Sequence, residues 1–141
     1  MKPHPPNKPI ELITLVLIAL GVLHVLDHLF NQPARSIHVE VFVSAGLGWL
    51  ALLLTLALAH RDHRLAPLLA FLVGMASALG FLASHVAPDF SVFSDSFAGL
   101  GVNALSWMLV ALSVLASLVL ALFGAGQLLT HDEGPRWTRK P

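Results

Sequence analysis

Four stretches of this chain, residues 10–30, 39–59, 65–87 and 98–123, are apolar almost throughout. At a rise of 1.5 Å per residue, each helix would be about as long as the hydrocarbon core of a bilayer is thick. The rest of the chain is too short and too polar to bury them. Only 11% of residues are charged and 56% are hydrophobic, whereas a soluble domain carries roughly 25% charged residues. The chain therefore lacks the polar surface of a water-exposed globule, and lipid is its expected solvent. The expected fold is all-α: an integral membrane bundle of four transmembrane helices.

The breaks between the runs are chemically distinct. Residues 1–9 (MKPHPPNKP) hold four prolines, which remove backbone donors and block helix propagation, so a short extended tail is expected. A signal peptide would end in a small-x-small cleavage site, but the first run ends in His24, Asp27 and His28. Asn31-Gln32-Pro33 breaks the first helix, His60-Arg61-Asp62-His63-Arg64 closes the second, and Pro88 follows the third. Residues 127–141 form a polar tail. The transmembrane domain is thus expected over 10–126, between two tails. No internal repeat is evident.

Orientation follows from Lys and Arg in short loops. Seven of these eight cations lie in the N-tail (Lys2, Lys8), the turn after the second helix (Arg61, Arg64) and the C-tail (Arg136, Arg139, Lys140). Arg35 alone lies in the loop after the first helix, and 88–97 has none. Both tails are therefore expected in the cytoplasm. The absence of an N-terminal targeting signal, together with short loops, fits a bacterial inner membrane.

In lipid, helices associate through small and polar residues that permit close approach. Each run carries one such stripe: Thr14, Gly21, His24, His28 and Asn31; Glu40, Ser44, Gly48, Ala51 and Thr55; Gly74, Ala78, Phe81 and His85; Asn103, Ser106, Ser113 and Ser117. These stripes are expected to face one another.

With this topology the ionisable groups gather at one depth. His24, Asp27 and His28 fall in the outer third of the first helix, His38 and Glu40 at the outer start of the second, His85 and Asp89 at the outer end of the third, and Asn103 early in the fourth. An ionisable residue at mid-helix costs about 2.5–3.5 kcal/mol on insertion scales, so it is rarely idle. Offsets of three and four put His24, Asp27 and His28 on one arc of a helix. Two imidazoles one turn apart can grip a cation, and a carboxylate can ligate it or orient a ring. His85 supplies a ligand from another helix; His38, Glu40, Asp89 and Asn103 are secondary candidates. Imidazole and carboxylate without thiolate suit zinc, nickel, iron or copper(II). The chain has no cysteine.

The segment His24-Val25-Leu26-Asp27-His28-Leu29 resembles, over its own length only, the signature helix of nickel and cobalt permeases, where a His precedes Asp-His by four residues. Here the gap is two residues, and four runs stand where those families have six or more spans.

Divalent transition-metal binding, for transport or metal handling, is thus the leading expectation. Two alternatives use the same residues. Histidines on different helices of a bundle can ligate haem, or serve as proton partners to a quinone, in a redox subunit. The cluster can also be a hydrogen-bonded network in a non-catalytic subunit or assembly factor, which would act as a homo-oligomer or within a larger membrane complex. No hydrolase motif is present, although an intramembrane metalloenzyme would use a similar ligand set. A net charge of zero gives no electrostatic case for nucleic acid. Asp95, with Ser94 and Ser96, is read as a cap of the fourth helix. His60, Asp62 and His63 are read as part of a basic cytoplasmic turn.

Overall fold

The structure is a computed structural model that describes residues 7–32, 39–88 and 96–131, with the side chains of 39–45 and of residue 131 outside that description. The described residues are helical, without strands. In chain order the helices are α1 (Lys8–Phe30), α2 (Val39–His60), α3 (Ala66–Phe81), which runs on into a π-helical turn (Leu82–Val86), the short α4 (Phe97–Leu100) and α5 (Ala104–His131).

Three helical segments, Lys8–Phe30, Ala66–Val86 and Ala104–Thr130, are long and apolar enough to cross a membrane. The described apolar part of α2, Gly46–His60, is shorter. Beside an apolar core that includes Ile10, Leu17, Ala70 and Leu120, the bundle encloses many polar groups and leaves large apolar side chains on its surface, unlike a water-soluble protein. Thr14, His24, Asp27, Thr55, His85, Ser106, Ser113 and Ser117 are buried, while Leu12, Leu23, Leu50, Leu79 and Leu122 are exposed. Such a surface is stable against hydrocarbon, and the polar groups turn inward because lipid offers them no partners.

α1 packs against α2 and α5, and α3 packs against the same two helices. Two glycines set the α3–α5 distance. A Cβ on Gly74 would lie 2.5 Å from the Ser117 carbonyl oxygen, and one on Gly124 would lie 2.5 Å from the Pro67 carbonyl oxygen. The two backbones therefore touch at both places, as close helix pairs in membranes do through small residues. This contact also explains why α5 does not stop at residue 123. Gly124 is held in a helix by the neighbour it touches.

Other boundaries have local causes. α1 starts at Lys8, ahead of residue 10, because Pro9 sits in the first turn, where its missing N–H goes unused. The fourth apolar run is split: Gly101 adopts φ +64°, ending α4, and the Asn103 Oδ1 then accepts a hydrogen bond from the Ser106 N–H at 3.1 Å to cap α5.

One end of the molecule is locked by polar groups. After α2, the His63 N–H donates to the Leu58 carbonyl and the Asp62 N–H to the Ala59 carbonyl, a Schellman pair in which Asp62 occupies the left-handed position at φ +49°. The Asp62 carboxylate accepts from the Asn7 N–H at 2.9 Å, and Glu11 meets His60 Nδ1 at 2.9 Å. These contacts fix the start of α1 beside the α2–α3 turn. The opposite end of α1 consequently lies level with the end of α3.

Candidate metal centre

At that opposite end, His24 and His28 of α1 meet His85 of the π-turn. The Nε2 atoms of His24 and His85 are 3.1 Å apart, as are those of His24 and His28. One ligand nitrogen from each ring lies within 4.8 Å of the others. Metal–imidazole bonds of about 2.0–2.1 Å put neighbouring nitrogens of one coordination sphere roughly 3 Å apart. The two 3.1 Å edges therefore match adjacent positions around a single cation.

Sequence spacing accounts for half of this geometry. His24 and His28 are one turn apart on α1 and share a face. His85 arrives through the π-turn, closed by the Ala87 N–H donating to the Leu82 carbonyl at 3.0 Å. A π-turn inserts a residue into the helical register and re-aims the side chains that follow, and such turns recur at functional sites.

Aromatic rings wall the site. His24 stands edge-on to Phe81 with centroids 5.3 Å apart, and Phe97 lies 4.5 Å from His85. Trp107 stands edge-on to Phe97 at 5.4 Å. The Nδ1 of His24 is buried without a hydrogen-bond partner, so packing between aromatic rings, rather than a second hydrogen bond, holds this imidazole. Phe81 lies on the inward stripe legible in the sequence, whereas Phe97, an aromatic residue that begins a short helix, carries no periodic signal.

Asp27 is buried close by but is not among the converging ligand atoms. Its Oδ1 accepts from Asn31 Nδ2 at 3.0 Å and its Oδ2 from Gln32 Nε2 at 2.8 Å. Asp27 thus gathers the chain that leaves α1. Asn103 is spent on capping α5. His38 and Asp89 lie outside the described residues, as do Asp95 and the side chain of Glu40.

The histidine arrangement bears on the alternatives. A single Nε2 carries either one proton or one lone pair. His24 Nε2 faces two other Nε2 atoms, so as a donor it can serve only one of them well. A cation accepts lone pairs from all three. Bis-histidine haem ligation would need the two nitrogens on opposite sides of iron, about two metal–nitrogen bonds or roughly 4 Å apart. The 3.1 Å spacing of His24 and His85 is shorter than that span, whereas the ligand nitrogens of the other cross-helix pair, His28 and His85, lie within 4.8 Å of each other, a limit that admits it.

No protein-family model, curated protein or solved structure matches this chain.

Proposed function

We propose that this chain is a metal-handling integral membrane protein. In this reading its four long helices form a transmembrane bundle with both termini in the cytoplasm. His24, His28 and His85 bind one divalent transition metal near the outer face. The convergence of three imidazole nitrogens in a buried, aromatic-walled site carries the reading. Lipid-exposed leucines around buried polar groups support the membrane placement, and the seven-to-one bias of Lys and Arg supports the orientation.

Holding a metal fits the interior better than conducting it. Three of the described hydroxyls along the bundle are turned back on their own helices. Thr14 donates to the Ile10 carbonyl, Thr55 to that of Ala51 and Ser117 to that of Ser113. These three hydroxyls are therefore not linked into a relay away from the histidines. A bacterial inner membrane remains the proposed location, and a larger membrane complex the proposed setting.

Elemental analysis of the full chain, purified in mild detergent without chelator, tests this directly. One zinc, nickel, copper or iron per chain, lost in the His24→Ala/His28→Ala double variant, is expected. A folded wild-type protein that takes up no metal even from added Zn²⁺, Ni²⁺ or Co²⁺ would leave the histidines as a structural network.

A further inference from the structure

The three histidines also form part of the wall of a cavity of about 640 Å³ between α1, α2, α3 and the π-turn. This is within the range of roughly 300–1,000 Å³ typical of small-molecule sites. Gly48, Leu52, Val73, Ala76 and Gly80 line it; apart from the histidines, only Ser77, Ser84 and the Trp49 indole contribute side-chain polar atoms. Gly48 and Gly80 keep it open, since a Cβ at either would meet nothing within 4 Å. Its rim residues Leu47 and Leu72 are 65% and 52% exposed, so the cavity opens on the flank of the molecule, where the proposed orientation places lipid. The geometry is a long apolar chamber with one polar end.

Charge specifies what that polar end takes. Resting on the metal reading above, three neutral imidazoles leave a divalent cation with its full charge of +2. Asp27 is the only acidic residue described near the histidines, and it offsets one unit. Among the described residues nothing offsets the second positive charge, and in an apolar enclosure an unpaired charge is strongly disfavoured. Three protein ligands also leave a coordination position open, as zinc sites that accept an exogenous ligand do. We infer that the cavity binds a long-chain carboxylate, a free fatty acid, with its carboxylate on the metal at the open position and its acyl chain along the cavity toward the flank.

The full chain, reconstituted in phosphatidylcholine nanodiscs and loaded with Co²⁺, reports directly on ligand exchange through its visible absorption. Palmitate should change the Co²⁺ bands and saturate at one per chain. Methyl palmitate, lacking the anion, should leave them unchanged, and acetate, lacking the chain, should act only at far higher concentration. Gly48→Leu and Gly80→Leu should each keep stoichiometric Co²⁺ yet weaken palmitate by about tenfold or more, as filling the chamber requires. Loaded protein whose bands ignore palmitate, or respond equally to acetate, overturns the fatty-acid site and leaves the metal site standing. So does unaltered palmitate binding in both filled variants. Protein that binds no Co²⁺ overturns both readings.

Discussion

His24 and His85 are separated by 61 positions in the chain, yet their Nε2 atoms stand 3.1 Å apart inside the helix bundle. His24 also contacts His28 at the same distance, so it is the shared vertex of the cluster. Its replacement should therefore cost most. His24→Ala leaves His28 and His85 but removes both of these 3.1 Å contacts, and is expected to abolish stoichiometric metal binding, while His28→Ala and His85→Ala each leave a pair 3.1 Å apart and a much weakened site. Titration with a competing chromophoric chelator gives the three affinities. A His24→Ala variant binding as tightly as either of the others would remove it from the centre.

Asp27 separates ligation from scaffolding. Its carboxylate is occupied by Asn31 and Gln32. Asp27→Asn should retain one metal per chain, with affinity lowered by roughly the 10–100-fold seen when a supporting residue is lost. The bonds from Asn31 and Gln32 lose their charged acceptor, so the end of α1 should loosen, lowering thermal stability in detergent. Complete loss of metal from a folded Asp27→Asn protein would return the carboxylate to the ligand set.

What could be read from the sequence divides along the same line. Four apolar runs are visible because each is long and nearly free of charge. The inward placement of Thr14, His24, Ser113 and Ser117 follows from their helical period. The pairing of His24 with His28 is local and therefore readable. His85 is different: its direction depends on the π-turn at Leu82–Val86, a register change that no periodicity reveals. The offset of Asp27 puts it on the same arc as His24 and His28, and its carboxylate oxygens accept from two side chains. Those donors, Asn31 and Gln32, lie just past the helical run, where periodicity carries no signal. The length of α5 was hidden because glycine at 124 signals an end in isolation, and only contact with Pro67 and Phe71 cancels that signal.

The π-turn makes its own prediction. Deleting Ala83 removes one residue from the widened turn and should restore regular α-helical spacing, rotating His85 away from α1. Metal affinity should fall to that of His85→Ala, while helix content by circular dichroism stays at the wild-type value. Unchanged affinity would show that His85 reaches the cluster without the extra residue.

Gly74 and Gly124 should be the least replaceable glycines. Each lacks room for a Cβ because the opposing backbone is 2.5 Å from where it would lie. Gly74→Ala or Gly124→Ala forces α3 and α5 apart, with a cost of about 1–3 kcal/mol or more typical of overpacking. Gly48→Ala and Gly80→Ala provide the contrast, since they meet no neighbour and should gain up to about 1 kcal/mol from helix propensity. Thermal unfolding in detergent should separate the two pairs in opposite directions.

The topology can be tested on the native chain because it contains no cysteine. Single cysteines can therefore be introduced without first removing others. Asp62→Cys and His63→Cys lie in the turn beside the start of α1, and Gln32→Cys and Pro88→Cys lie at the end that carries the histidines. In intact cells, a membrane-impermeant maleimide should label positions 32 and 88 and spare 62 and 63 until the membrane is opened. The reverse pattern would place the histidine cluster on the cytoplasmic side. Any metal it binds would then be drawn from the cytoplasm, although the bundle and the cluster would remain as described.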